Sequence, residues 1–159
     1  MARRAKQTQD LVPVSDASLA RFMGYHMKRA QHVMISDMNA VIQPMGLRMI
    51  TFSVLNMVVE NPGLRQSQLA DALVIERPNL VVILDGLEER DLISRDRVPT
   101  DRRAYALNAT LAGRQLSDAA ICAIEAHEAR MLAGVSDEDR NTVLRVLGQV
   151  RRTKPGAEQ

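Results

Sequence analysis

The chain has 159 residues, of which 46% are hydrophobic and 25% charged, so a globular domain is expected and an intrinsically disordered chain is excluded. A net charge of +2 gives no global electrostatic argument for nucleic acid, the single Cys122 excludes an internal disulfide, and the longest apolar runs are too short to cross a bilayer. A soluble cytoplasmic protein is therefore the expectation.

A long amphipathic helix is predicted near the start of the chain. Residues 1–14 show no period and are predicted to be a flexible tail, as are residues 153–159. Ser15 and Asp16 are suitable N-caps, and Pro44 would stop the helix. Its apolar residues recur at three- and four-residue steps: Leu19, Phe22, Met23, Met27, Ala30, Met34, Met38 and Val41. At roughly 40 Å it is too long for the edge of a small domain, so it packs against another chain or braces two subdomains.

Three shorter helices are predicted next. Residues 47–60 are apolar on most faces, and Asn61-Pro62-Gly63 ends that helix. A short helix at 66–73 and a second from Pro78 to about Arg90 are joined by a tight turn. The apolar residues of the second, Leu80, Ile83, Leu84 and Leu87, form one core stripe. This spacing is typical of a helix-turn-helix.

A hairpin and two further helices complete the predicted fold. Residues 93–107 alternate like two strands, and residues 95–103 contain four arginines and two aspartates. A helix is predicted at about 110–132, and Ser136 with Asp139 resembles a capping box that starts the last helix. The expected fold is mainly α with a small β-hairpin, in the order α-α-α-α-β-β-α-α.

The helix at 78–90 and the hairpin at 93–107 suit duplex DNA. A major groove about 12 Å wide admits one helix, and a basic hairpin beside it can reach phosphates or the minor groove. We therefore interpret the helix as a recognition helix and the hairpin as a wing.

Four segments together resemble the multiple-antibiotic-resistance regulator (MarR) family. They are Gln66-Ser67-Gln68-Leu69-Ala70, residues 84–93, Asp101-Arg102-Arg103 and residues 107–114, and the resemblance extends from about residue 16 to 152. It implies a homodimer with dimerisation regions at 15–45 and 109–152 and a winged helix-turn-helix DNA-binding domain at 46–108. It further implies binding to a palindromic operator, usually repression, and release by a small ligand. Asp101 would then hold Arg103 in the minor groove, and Arg102 would contact a phosphate.

The recognition face departs from the family pattern. Family members often carry serine, threonine and arginine where this chain has Pro78, Asn79, Val81 and Val82. Asn79 could read adenine and valines could touch thymine methyls, whereas the alternative is that Val81 and Val82 pack inside. The helical pattern sets Val82 opposite the core stripe, which favours exposure. The candidate DNA-binding residues are Gln66, Ser67, Gln68, Arg77, Pro78, Asn79, Val82, Arg95, Arg97, Asp101, Arg102 and Arg103.

Methionines cluster in the first two predicted helices: Met23, Met27, Met34, Met38, Met45, Met49 and Met57. They could fill a core or reshape around a flat ligand, and the two interpretations are about equally supported. Lys28, Arg29 and Arg48 could pair with a carboxylate or phosphate, which suggests an aromatic acid or its coenzyme A thioester as effector. The candidate ligand-binding residues are His26, Arg29, Met49, Phe52 and Asn56.

Other residues that could carry chemistry are given structural interpretations. Cys122 lies among apolar residues and is predicted to be a buried, inert thiol. His26, His32 and His127 are too scattered for a metal site, and no cofactor motif or catalytic set is present, so an enzyme is not expected. The main alternative is a winged-helix protein-interaction module that does not bind DNA, which the arginine cluster of the wing disfavours.

Overall fold

A computed structural model describes residues 14–98 and 101–153, apart from the side chains of Val98 and of residues 101–104. The predicted tails therefore lie almost wholly outside the described residues. The chain forms two compact units, one up to Ser36 and one from Asp37, and each is described by itself.

In the first unit, the helix α1 (Met23–Ile42) begins later than predicted. The predicted caps Ser15 and Asp16 are wrong, because residues 17–21 form turns before the helix begins. The carboxylate of Asp16 accepts hydrogen bonds from the Tyr25 hydroxyl and from Arg29. It is thus engaged by side chains and does not cap a first helical turn at this position.

The second unit opens with the end of α1 and three more helices. A 3-10 turn at Gln43–Met45 contains Pro44, which confirms the predicted stop, and Gly46 follows with a φ of +68° that favours glycine. The helices α2 (Met49–Glu60), α3 (Gln66–Leu73) and α4 (Arg77–Glu89) lie where the sequence predicts them.

A three-stranded antiparallel sheet lies beside these helices. Its strands β1 (Leu64–Arg65), β2 (Ile93–Val98) and β3 (Asp101–Ala109) are ordered β1-β3-β2. β1 was not predicted, and it pairs Leu64 with Leu107 of the hairpin. The β2–β3 ladder also extends farther than expected, to Val98 opposite Asp101, with an irregularity after Arg97. The observed order differs from the predicted one only by β1.

The core of the winged region joins the helices to the sheet. Three members of the predicted core stripe of α4, Leu80, Leu84 and Leu87, are at most 1% exposed. The fourth, Ile83, is partly buried against the same core. The other buried members are Val54, Leu55, Val58, Leu69, Ala70, Leu92, Ile93 and Leu107. This packing fixes α4 and the hairpin relative to each other.

Two helices follow the sheet: α5 (Leu111–Met131) and α6 (Asp137–Arg152). Thr110 caps α5, because its hydroxyl accepts from the Gly113 amide at 3.0 Å and donates to the Asp91 carbonyl at 2.7 Å. The Ser136 hydroxyl accepts from the Asp139 amide at 3.1 Å, which confirms the predicted start of α6.

One face of α6 is apolar and uncovered by the rest of the described chain. Its members Val143, Leu144, Leu147 and Val150 are between 39% and 58% exposed. Among the described residues, no single helix is long and apolar enough to cross a membrane; only the bent pair of α1, with its 3-10 turn, and α2 meets that criterion, by length and composition alone.

Candidate nucleic-acid interface and effector site

The N-terminal half of α4 carries the exposed face predicted for DNA recognition. Arg77, Pro78 and Asn79 are exposed in its first turn, where Pro78 needs no hydrogen-bonding amide. Val82 is 71% exposed, which confirms that it faces away from the core, and Val81 is 40% exposed. This surface combines the Arg77 guanidinium and the Asn79 amide with apolar side chains, so it can make methyl contacts and bidentate contacts to bases.

Three further residues predicted to contact DNA lie at the start of α3, the helix that precedes α4 in the chain. Ser67 and Gln68 are exposed and Gln66 is partly buried. The side chain of Gln68 is already used, because its Oε1 accepts a hydrogen bond from the Arg65 amide at 3.0 Å. Gln68 therefore satisfies the backbone amide at the start of α3, whereas Ser67 is exposed.

The root of the wing carries a partly buried ion pair that the sequence did not reveal. Arg95, predicted to contact DNA, has a side chain only 23% exposed, and its Nη2 donates to Asp85 Oδ1 of α4. Its Nε lies 3.4 Å from Glu88 Oε2, also on α4. Arg95 is thus turned toward α4, and its assignment to the DNA contacts stays a prediction.

The DNA contacts predicted for the other wing residues stay predictions. Arg97 is exposed on β2, opposite Tyr105, which is 42% exposed. Asp101, Arg102 and Arg103 begin β3, but their side chains are outside the described part of the structure. Their minor-groove and phosphate roles stay predictions from the family resemblance.

An open surface cavity of about 610 Å³ lies on the first unit. Its lining consists of Leu19, Tyr25, Lys28, Arg29, His32 and Val33. Three of these side chains are basic and three offer apolar surface, a composition suited to an amphipathic anion. Of the predicted ligand residues, Arg29 lines this cavity, whereas the His26 Nε2 lies 2.6 Å from the Ala20 carbonyl oxygen.

A small polar network orders the cavity wall. Arg29 Nη1 donates to Asp16 Oδ2 and to the Tyr25 hydroxyl, each at 2.8 Å. The hydrogen bond from Tyr25, with help from Arg29, holds the pKa of the Asp16 carboxyl below its ordinary value of 3.8. The Tyr25 hydroxyl, followed by Asp16, raises the pKa of Arg29. Sequence reasoning missed Tyr25, although its four-residue spacing from Arg29 on a helix is a usable signal.

The other predicted ligand residues lie on α2 in the second unit. Phe52 is 9% exposed and belongs to a core cluster with Ile42, Leu47, Ala120 and Ile124, against which Met49 packs. Both the oxygen and the nitrogen of the Asn56 side-chain amide make hydrogen bonds. It accepts from Ser117 at 2.9 Å and donates to Glu60 at 3.0 Å. These contacts give Met49, Phe52 and Asn56 structural roles, and their ligand role remains a prediction.

Known proteins resemble this chain over most of its length. The family model described as "MarR family" matches residues 45–104. A protein of Thauera aromatica, described as a transcriptional regulatory protein for the hcr operon, is 33% identical over 90% of this chain and 87% of its own.

The chain belongs to the MarR family.

Solved structures of MarR-like repressors share the fold. The transcriptional repressor CouR, solved with a 23-mer DNA duplex, is 34% identical with a TM-score of 0.84, over 89% of this chain and all of that one. CouR from Rhodococcus jostii, solved with p-coumaroyl-CoA, is 27% identical with a TM-score of 0.78, over 91% of this chain and all of that one. The winged helix-turn-helix fold predicted for this MarR-family protein is confirmed.

Two further predictions concern residues outside these surfaces. Cys122 was predicted to be buried, but it is exposed in the protomer, because the buried stripe of α5 runs through Ser117, Ala120 and Ile124 and leaves position 122 on another face. His127 Nε2 is buried and has no hydrogen-bond partner among the described residues. Within the same part of the chain, no three His, Cys, Asp or Glu side chains of this MarR-family protein cluster as metal ligands would.

Proposed function

We propose that this protein is a transcriptional repressor that binds an operator as a homodimer and is released by a small effector. One observation carries the proposal. The exposed first turns of α4 stand beside an arginine-bearing hairpin, in a chain that matches CouR over 89% of its length. The protein works as a binding module and not as an enzyme. Because its target is chromosomal DNA, we expect it to act in the cytoplasm.

On DNA, α4 lies in the major groove and the wing reaches the backbone and minor groove. Asn79 and Val82 contact base edges, and Arg97 with Arg102 and Arg103 supplies positive charge. Arg77 and Asn79 are the two side chains of the exposed α4 face that can make bidentate contacts to bases, so base readout is sparse. Much of the affinity then comes from phosphates and DNA shape, which makes binding steeply dependent on salt.

Dimerisation is supported by the apolar face of α6. Four exposed aliphatic side chains on one helix face form a patch that soluble monomers rarely leave uncovered. A second copy of the chain covers this face and sets two α4 helices about 34–36 Å apart, the spacing of half-sites one helical turn apart.

The effector is an aromatic carboxylate or, as we favour, its coenzyme A thioester. A thioester presents phosphates to Lys28, Arg29 and His32 and an aromatic group to apolar surface. CouR, which has p-coumaroyl-CoA bound in a solved structure, supports the thioester. Release follows if the ligand binds better to a dimer whose α4 helices do not match the operator.

The experiment begins with selection of a duplex from a randomised library by the wild-type protein. Gel shifts on that duplex then receive p-coumaroyl-CoA, p-coumarate or free coenzyme A in parallel. Release by the thioester alone supports the proposed effector, and release by p-coumarate supports an acid. Failure to retain any duplex even at low salt would refute the repressor and favour the protein-interaction module. Lys28→Gln is the matched variant for the cavity, and it should weaken the response to the thioester without weakening DNA binding.

A further inference from the structure

We propose that Arg95 is a positioning residue: its guanidinium ties the wing, the hairpin of β2 and β3, to the recognition helix α4 and does not itself contact DNA. This inference rests on the proposed DNA-binding function. It names a residue that controls the reach of the wing through the protein.

The geometry of Arg95 directs it at α4. Its backbone pairs with that of Leu107, which is fully buried. The Arg95 side chain therefore extends from the part of the hairpin next to the core and not from the tip. Asp85 and Glu88 are three residues apart and therefore lie on neighbouring positions of one helix face. The planar guanidinium faces both carboxylates: Nη2 donates to Asp85, and Nε lies 3.4 Å from Glu88 at ion-pair distance without a hydrogen bond among the described residues.

The local charge also opposes a role in phosphate binding. One guanidinium faces two carboxylates, so the group of three carries a net negative charge. A phosphate would have to displace a carboxylate from a side chain that is only 23% exposed. Arg97 lies two residues farther along the same face of β2 and is exposed, so it provides a matched comparison.

The opposite face of β2 is held as well. Asp96 Oδ2 accepts from Asn108 Nδ2 at 2.7 Å, and Asn108 Oδ1 accepts from the Gly63 amide at 2.9 Å. The strand is thus joined to β3 and the β1 turn on one side and to α4 on the other. Because both faces are fixed at the root, the direction of the wing tip follows that of α4, and Arg95 supplies the connection to α4.

A double-mutant cycle tests the proposal on the duplex selected by the wild-type protein. R95Q is measured in the natural background and in a D85N/E88Q background. We expect R95Q to weaken binding about tenfold in the natural background and less than about twofold where the carboxylates are already gone. Removal of two acidic side chains near DNA should itself raise the affinity. This gain is present in D85N/E88Q both with and without R95Q, so it cancels when the two are compared.

Two outcomes of the cycle would overturn the proposal. One is an equal or larger loss for R95Q in the D85N/E88Q background, which is expected of an arginine that binds phosphate. The other is the absence of any loss in the natural background. If R95Q fails to fold, R95K replaces it: lysine keeps the charge but cannot span two carboxylates, so wild-type affinity for R95K would also overturn the proposal.

The salt dependence of binding gives a second readout, which separates a positioning role from a direct contact with phosphate. R97Q should lower the slope of log affinity against log salt by about 0.9, as expected for one lost phosphate contact, whereas R95Q should leave that slope unchanged. A fall of that size for R95Q would assign it to DNA.

Hydrogen exchange separates this proposal from the proposed function. In the free protein, R95Q should raise amide exchange in β2 several-fold, and unchanged exchange would overturn the positioning role. If the wild-type protein binds no duplex, the repressor proposal fails, while the exchange result still decides whether Arg95 holds the wing.

Discussion

Replacement of Gly113 by alanine should destabilise the protein strongly, although alanine is the better helix former. Gly113 occupies the first turn of α5. A Cβ at this position would overlap the carbonyl oxygen of Leu92 and lie 3.0 Å from its carbonyl carbon and 3.4 Å from Leu55 Cδ1. The neighbour that must move is main chain, which cannot rotate away as a side-chain end can.

The magnitude follows from what holds Leu92 in place. Its carbonyl oxygen accepts from the Thr110 amide at 3.1 Å, and its amide donates to the Leu87 carbonyl at 3.0 Å. Shifting Leu92 weakens these hydrogen bonds, each worth about 1 kcal/mol, in addition to the overpacking itself. A loss of about 3 kcal/mol in the free energy of unfolding is expected, which lowers Tm by roughly 6–12 °C for a chain of this size.

Gly86→Ala is the matched control. Gly86 lies inside α4, and no described atom outside its own helix turn would come within 4 Å of an added Cβ. This variant should gain about 0.5–1 kcal/mol from helix propensity. Both variants are unfolded by heat and by urea at one fixed protein concentration, since association makes Tm depend on concentration. A Gly113→Ala protein within about 0.5 kcal/mol of wild type, a shift expected of an ordinary surface change, would refute the reasoning.

Three further predictions concern the wing, the recognition helix and the first unit. Arg103→Ala should weaken operator binding at least about tenfold while light scattering still shows a dimer, and unchanged affinity would contradict its minor-groove role. Arg90→Gln removes donors at 2.7 and 3.0 Å from the carbonyls of Gly46 and the preceding residue, so urea unfolding should show a loss of about 1 kcal/mol; wild-type stability would rule this out. Titration of the Asp16 carboxyl by NMR should give a pKa below 3.8, and Tyr25→Phe should raise it. Because the folded pKa is lowered, its contribution to stability is present above pH 3.8 and is lost as the pH falls through the folded value; a carboxyl titrating at 3.8 or higher would contradict this.

The helices of the winged helix-turn-helix region could be predicted because one side of each is buried. The spacing of Leu80, Leu84 and Leu87 identifies the inward side of α4, and with it the outward position of Val82. β1 could not be predicted, since a two-residue strand has no measurable period. It exists through its pairing with β3, which is a tertiary contact.

Contacts between side chains of different helices and strands could not be predicted from the sequence. Arg95 is basic and lies in an arginine-rich hairpin, but its orientation depends on Asp85, which packing brings next to the strand. Asp16 is an ordinary helix cap by residue type, yet Tyr25 and Arg29 bind its carboxylate. Cys122 was misjudged because neighbours in sequence were read as neighbours in space, whereas a helix turns about 100° at each residue.

The bonds from Arg90 to the turn after α1 give α4 a fixed end. They hold the carboxyl end of the helix, while its opposite end bears Asn79 and Val82, the side chains predicted to contact bases. Thirteen residues make a rod about 20 Å long, so a tilt of roughly 5° about that anchor carries the far tip nearly 2 Å sideways, more than half the length of a hydrogen bond. A slight change in the turn between α1 and α2 is therefore magnified at the end of α4 that is predicted to contact the bases.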